Sequence, residues 1–171
     1  MRRYLNYFKY LFMHKYYVTV ECFKCNLYWR GLKHDMSKFM PLEFIAYAKF
    51  FYNEDGTKKQ IRNATGYYKP TDTGSLDFDL AWLHHTHHND HHWQYWTVVD
   101  TEVEGNIKKH DMPKNAIREM ICDWIGAGKA QGTPDTYRWY KTNRDKMIIS
   151  DRTKELIEIN LSNRGLWIGG E

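Results

Sequence analysis

Apolar residues recur three and four positions apart through most of this chain, which is the spacing of helices that bury one face. The pattern begins at residues 4–29 and predicts one long helix or two abutting helices, with Gly31 as the stop. His14 is the single histidine of this segment. The apolar positions are Leu5, Phe8, Leu11, Phe12, Tyr16, Val20, Phe23 and Leu27.

The same spacing continues in later segments of the chain. Residues 41–52 and 113–127 each begin with a proline, which is favoured in the first turn of a helix. Shorter helices are predicted at residues 136–143 and 151–161. No run of strand length alternates strongly, and neither a repeat nor a linker is apparent. The sequence therefore predicts an all-α fold in a single domain over residues 1–171.

The helical spacing of apolar residues is absent between residues 53 and 75, whose sequence is NEDGTKKQIRNATGYYKPTDTGS. A loop of this length in a small domain is usually functional or disordered. We interpret it as a lid or insertion whose cations and tyrosines close over an anionic, ring-bearing substrate; an ordinary solvated loop is the alternative. The candidate substrate-binding cations are Lys58, Arg62 and Lys69, with Tyr67 and Tyr68 beside them.

Composition narrows the class of protein. A chain of 171 residues with 42% hydrophobic and 16% aromatic residues is long and apolar enough for a folded core. The net charge of +4 suits both anionic small molecules and nucleic acid as binding partners and does not distinguish between them.

Three cysteines fit a reducing compartment. Lys9 and Lys15 interrupt the apolar N-terminal run, so the sequence predicts a soluble, cytoplasmic protein without a membrane partner.

Histidines are concentrated in residues 81–96, AWLHHTHHNDHHWQYW, which hold six of the nine in the chain. Imidazole is the commonest protein metal ligand. On a helix capped by Ser75 or Asp77, one row holds His84, His88, His91 and Tyr95, and another holds His85, His88 or Asn89, His92 and Trp96. The flanking tryptophans favour burial and a genuine metal site. An exposed histidine run that binds metal adventitiously is the alternative.

A second stretch with candidate metal ligands follows Gly31. His34 and Asp35 offer one neutral nitrogen and one anionic oxygen ligand, and Lys38 lies one turn further on, where an ammonium can neutralise a phosphate oxygen. The alternative is a capping aspartate with a solvated lysine. Glu43 can serve as an outer ligand or base, but a solvated carboxylate in the first turn is the simpler interpretation. Asp123 lies amid apolar residues, where an unpaired carboxylate is costly to bury and a metal would offset that cost.

Taken in order, these residues resemble the ligand series of the HD-domain metal-dependent phosphohydrolase superfamily. The series is His14, His34-Asp35-x-x-Lys38, His85, His91-His92 and Asp123. The resemblance implies a helical bundle whose ligands come from separate helices. It also implies one metal on His14, His34 and Asp123, a bridging Asp35, and a second metal on His85, His91 and His92. Asn89 would replace a ligand or orient the phosphate, and His85 rather than His84 would face inward.

Two finer resemblances accompany this one. The HDxxK and double-histidine features are most similar to the branch that hydrolyses cyclic dinucleotides, although its glycine-tyrosine-proline signature is missing here. Four stretches resemble a family of small bacterial and phage proteins with a domain of unknown function, and this likeness covers most of the chain. These stretches are YWRGLKHDMSKF, AWLHH, HHWQYW and EMICDWIGAGKAQG.

The expected activity is hydrolysis of a nucleotide or cyclic nucleotide phosphate ester by a metal-activated water, with Asp35 and Lys38 as catalytic residues. The expected cofactor is a pair of divalent ions, drawn from Mn, Fe, Mg, Co, Ni or Zn. Two rival hypotheses remain. One is an HD-fold di-iron oxygenase. The other is a non-catalytic protein that binds nucleic acid or a partner and holds a structural metal.

Overall fold

Seven α-helices dominate the computed structural model, which describes residues 1–62, 66 and 72–166. They are α1 (Arg2–Lys24), α2 (Tyr28–Lys33), α3 (Pro41–Phe51), α4 (Leu76–His88), α5 (Lys114–Gln131), α6 (Thr136–Asn143) and α7 (Asp151–Ser162). Three 3₁₀ turns, Met36–Phe39, Trp93–Trp96 and Arg144–Lys146, join them. The predominantly helical prediction is confirmed.

The all-α prediction nevertheless missed a hairpin. Strands β1 (Thr97–Val99) and β2 (Ile107–Lys109) pair antiparallel, with Thr97 opposite Lys109. Each strand is three residues long and mostly exposed, so neither carries the apolar alternation that identifies a half-buried strand.

The first apolar segment forms two helices rather than one. A turn through Asn26, whose φ is 58°, separates α1 from α2. Gly31 does not stop a helix, because it lies inside α2 against α1. A Cβ on Gly31 would lie 2.8 Å from the Cβ of Cys22, so glycine permits the close approach of the two helices.

The histidine-rich segment is helical only in its first half. Helix α4 ends at His88, and the Asn89 amide donates a 2.7 Å hydrogen bond to the carbonyl oxygen of His85 in the last turn. The indole of Trp96 donates to the carbonyl oxygen of Asp90, which fixes the chain beyond the helix. The prediction of one helix through residues 81–96 is therefore wrong, and His91 lies in the turn that follows.

Two apolar cores flank the polar centre described below. One packs α1, α3 and α4 around Tyr7, Leu11 and Phe78, and the other packs α5, α6 and α7 around Ile117 and Tyr140. Helices α1 and α5 connect them by direct packing. Burial of these two cores fixes the positions of the helices that supply the polar side chains.

The contact between α1 and α5 predicts a stability effect at Gly126. In Gly126→Ala, the new Cβ would lie 2.5 Å from Val18 Cγ2 and 2.8 Å from the Val18 backbone nitrogen. Helix propensity favours alanine by about 1 kcal/mol, but overpacking against backbone costs about 1–3 kcal/mol and should exceed it. We expect a lower midpoint in urea unfolding. The double variant Val18→Ala/Gly126→Ala should recover part of the loss, and a single variant as stable as the wild type would contradict this packing.

Candidate metal centre

Polar side chains from three helices and two turns converge between the cores. His14 comes from the middle of α1, His85 from the last turns of α4, and Asp123 from α5. His34 and Asp35 follow α2 directly, and Asp35 has a left-handed backbone with φ of 53°. This conformation turns two consecutive side chains toward one point, and aspartate tolerates it better than most residues. His91 and His92 come from the turn after α4.

One group of ligand atoms forms around Asp35 Oδ2. His14 Nε2 lies 3.3 Å and His34 Nε2 lies 3.4 Å from this oxygen. Asp123 Oδ1 closes the group, 3.2 Å from His14 Nε2 and 3.5 Å from His34 Nε2. Ligands that surround an ion at about 2.0–2.2 Å have separations of this order.

A second group forms around the other oxygen of the same carboxylate. Asp35 Oδ1 lies 3.3 Å from His85 Nε2 and 3.4 Å from His91 Nε2. His92 Nε2 lies 2.9 Å from His85 Nε2 and completes the group. In each group the ligand atoms lie within 4.8 Å of one another. Asp35 therefore stands between the two groups, with one oxygen facing each.

Three buried atoms at this junction have no hydrogen-bond partner within the described part of the chain. They are His34 Nε2, Asp35 Oδ1 and His91 Nε2. An unpaired buried polar atom usually costs a protein stability, and native structures contain few of them. Cations held by the two groups would satisfy all three atoms, so the residues present fit a pair of metal ions.

Glu119 supports the centre from α5. Its Oε1 accepts from His34 Nδ1 at 2.9 Å and lies 3.4 Å from His91 Nδ1, while Oε2 pairs with Arg30. A carboxylate on Nδ1 fixes the tautomer that leaves Nε2 free for a metal. No role was predicted for Glu119 from the sequence, although it lies four residues before Asp123 on the same helix face, which was the available signal.

Glu43 supports the centre from α3, and its interpretation as a solvated carboxylate was wrong. The side chain is fully buried because α3 packs on α4. It accepts from His84 Nδ1 at 2.7 Å and from His85 Nδ1 at 2.9 Å. His85 faces Asp35, whereas His84 is half-buried and is not among the ligand atoms around Asp35. Asn89 lies 3.2 Å from Nδ1 of His85, on the Glu43 side of that ring.

The centre holds its carboxylates ionised. Burial raises the pKa of Asp35, but the positive charges of His34 and Lys38 dominate and hold it well below its usual value. Burial lowers the pKa of His34, and the charges of Asp35 and Asp123 nevertheless raise it to about 10. Burial, reinforced by the charge of neighbouring His91, lowers the pKa of His92 and keeps that imidazole neutral. The ionised carboxylates and the neutral His92 are in the protonation states that bind metals, whereas a metal on His34 must displace the proton that its raised pKa retains.

Comparison with known proteins identifies a family. The model of a family of unknown function, DUF5662, matches residues 3–163. The chain belongs to the DUF5662 family. No curated protein and no solved structure matches it. All the ligand atoms described above lie inside the matched residues.

A cavity of about 240 Å³ opens onto the centre of this DUF5662 chain. Its polar lining includes His14, His92 and Asp123 from the centre and the cations Lys38 and Arg62. Lys38 lies 2.5 Å from Asp35 Oδ2. The aromatic lining consists of Trp82, Trp93, Trp124 and Trp139, together with Tyr10.

The predicted substrate-binding cations of the loop divide into three cases. Arg62 lines the large cavity and also a neighbouring one of about 60 Å³, whereas Lys58 lines only the smaller one. Lys69, with Tyr67 and Tyr68, lies outside the described residues.

Among the helices that the structure describes, none is long and apolar enough to cross a membrane.

The carboxylate behind His34 predicts an effect on ion affinity. In Glu119→Gln, the amide keeps the shape of the side chain but removes the charge that orients His34 and His91. Loss of such a supporting carboxylate typically weakens metal binding about 10–100-fold. Competition with a chromophoric chelator measures this. Glu155→Gln, an exposed position on α7, is the control and should bind as the wild type does; unchanged affinity in Glu119→Gln would contradict the role.

Proposed function

We propose that this DUF5662 chain is a metal-dependent phosphohydrolase of HD-type architecture that acts on a nucleotide or cyclic nucleotide phosphate ester. One observation carries the proposal. A single buried carboxylate, Asp35, presents one oxygen to each of two ligand groups, and the ammonium of Lys38 lies beside it at the edge of a cavity. A bridged cation pair next to a fixed positive charge is an arrangement suited to cleaving phosphate esters.

The two groups differ in their donors. His14, His34 and Asp123 would hold one ion with Asp35 Oδ2, and a second group would hold the other with Oδ1. That second group consists of His85, His91 and His92. When bound, a divalent pair lowers the pKa of a water toward about 7 and screens negative charge on phosphoryl oxygens. Imidazole-rich sites favour Mn, Fe, Co, Ni or Zn over Mg.

Lys38 supplies the positive charge for contact with the substrate phosphate. Burial lowers the pKa of its ammonium, but Asp35 and Asp123 dominate and raise it above the usual value, so the group stays protonated. The same residue lines both cavities. Its ammonium is therefore placed to contact a phosphate oxygen and to stabilise the negative charge that builds there during hydrolysis.

The walls of the large cavity favour a substrate with a ring. The rings of Trp124 and Trp139 lie 5.2 Å apart between centroids, and Trp82 and Trp93 line the same cavity. Aromatic side chains bind nucleobases by stacking, and a cation such as Arg62 contacts a phosphate. A nucleotide satisfies both features, with its phosphate toward Lys38 and its base against the tryptophans.

A screen of phosphate esters tests the proposal. The protein, loaded in turn with each candidate ion, is incubated with nucleoside monophosphates and triphosphates, cyclic nucleotides and cyclic dinucleotides, and the products are separated by chromatography. Hydrolysis of at least one class, lost in Asp35→Asn, is the expected result. No hydrolysis by metal-loaded protein overturns the proposal.

The rival hypotheses give different signals in the same preparations. Five imidazoles among the ligands are also compatible with iron. Oxygen uptake by the iron-loaded protein without phosphate ester cleavage would favour an oxygenase. Salt-sensitive nucleic-acid binding that persists in Asp35→Asn, without turnover, would favour the non-catalytic hypothesis.

A further inference from the structure

The neighbouring cavity of about 60 Å³, called the small cavity below, has no role in the proposed function. It adjoins the large cavity, because five residues line both of them. These are Tyr10, His14, Lys38, Arg62 and Gln131. Sites for whole small molecules usually measure about 300–1,000 Å³. The small cavity therefore suits one compact group rather than a nucleobase with its sugar.

The charges around the small cavity favour an anion. Lys38, Lys58 and Arg62 line it, and none of the described lining residues is acidic. Lys58 forms no ion pair with an acidic side chain in the described part of the chain, and its ammonium lies 6.0 Å from the centroid of the Tyr10 ring. Burial and the charge of Arg62 lower the pKa of Lys58, so these two cations lie close enough to repel each other. A bound anion would offset this repulsion.

A buried hydroxyl also favours a ligand in the small cavity. Tyr7 lines the cavity and is 2% exposed, and its hydroxyl has no hydrogen-bond partner within residues 1–62, 66 and 72–166. Burial raises the pKa of Tyr7 above its usual value, so the hydroxyl keeps its proton. Buried polar groups in proteins are usually hydrogen-bonded. A phosphate oxygen in the cavity would accept a hydrogen bond from this hydroxyl.

The chain beyond α3 fixes the positions of the cations. An isolated antiparallel bridge pairs Tyr52 with Lys58, and the backbone N–H of Lys59 donates to the carbonyl oxygen of Phe51 at 2.9 Å. The guanidinium of Arg62 lies 5.7 Å from the centroid of the Phe51 ring. This segment therefore turns back beside α3 and brings Lys58 and Arg62 to the wall of the small cavity.

We propose that the small cavity is a second phosphate subsite, in which Lys58, Arg62 and the hydroxyl of Tyr7 bind the phosphate. The substrate class that follows rests on the proposed function. The phosphate ester next to the ribose lies at the metal centre beside Lys38, the next phosphate lies in the small cavity, and the base lies against the tryptophans of the large cavity. The substrate is then a nucleoside diphosphate or triphosphate rather than a monophosphate.

Two phosphonates without a hydrolysable ester test the subsite separately from turnover. Methylenediphosphonate carries two phosphate-like groups, and methylphosphonate carries one. Isothermal titration calorimetry measures the affinity of each for the Mn²⁺-loaded full chain. Lys58→Met should bind methylenediphosphonate about 10–100-fold more weakly than the wild type, which is the range for loss of a hydrogen bond to a charged group. Its affinity for methylphosphonate should stay unchanged, because a single group occupies the metal centre.

Two further variants keep the result decisive. Lys59→Met is the matched control and should bind as the wild type does, because the Lys59 ammonium donates to the carbonyl oxygen of Lys49 at 2.8 Å and lines neither cavity. Tyr7→Phe removes only the hydroxyl, and it should weaken the binding of methylenediphosphonate alone, by about 3–10-fold.

Unchanged affinity of Lys58→Met for methylenediphosphonate would overturn the subsite. An equal loss for both phosphonates, or the same loss in Lys59→Met, would also overturn it. A selective loss in Lys58→Met, in a chain that hydrolyses no phosphate ester, would support the subsite and reject the phosphohydrolase activity.

Discussion

Asp35→Asn should abolish hydrolysis and lower the occupancy of both ion positions. The amide is neutral and offers a single oxygen, so it cannot face both ligand groups as the carboxylate does. Metal stabilisation of the transition state is worth several kcal/mol, so we expect kcat to fall roughly 10³-fold or more. Asparagine tolerates the left-handed backbone at this position, and the helical circular dichroism should persist.

The control for this variant is Asp145→Asn, an exposed carboxylate whose side chain is 80% accessible. Its turnover and metal content should equal those of the wild type. Wild-type turnover by Asp35→Asn would reject the assignment of Asp35 as the bridging ligand. Normal ion content together with lost turnover would reject the explanation through metal binding.

Lys38→Met should separate catalysis from metal binding. Methionine keeps most of the length of the side chain and removes the charge. Removing one group that stabilises transition-state charge typically costs about 10²–10³-fold in kcat. Both ions should remain bound, because Lys38 competes with them for Asp35 and is not a ligand. Lys9→Met, an exposed position on α1, is the control.

Steady-state kinetics and metal analysis of the same preparations check this prediction. The expected pattern is a large fall in kcat with unchanged ion content. A variant that loses both ions and activity together would show that Lys38 acts through the centre. A variant with wild-type kcat would show that its ammonium does not meet the phosphate.

Local patterns were sufficient to predict the helices that bury one face. The proline at residue 41 and the spacing that follows it predicted a helix over residues 41–52, and α3 spans Pro41–Phe51. The prediction at residues 136–143 coincides with α6. These segments were predictable because the signal for each is contained in the segment itself.

Features that depend on tertiary contacts were not predictable in the same way. Glu43 and Glu119 are acidic residues on amphipathic helices. The segment of Glu43 does not distinguish a solvated carboxylate from a buried one, and that of Glu119 offers only the four-residue spacing to Asp123. Their burial follows from the packing of α3 on α4 and of α5 on α1. The left-handed backbone of Asp35 also follows from the turn between packed helices, although it determines how the centre is arranged.

Anomalous diffraction from crystals of the Mn²⁺-loaded protein tests the central claim most directly. The account predicts two Mn²⁺ peaks about 3.5–4 Å apart, one on each side of the Asp35 carboxylate. One peak should contact His14, His34 and Asp123, and the other should contact His85, His91 and His92. Crystals of Mn²⁺-loaded protein without a peak at either group, or with ions bound only elsewhere, would contradict the account.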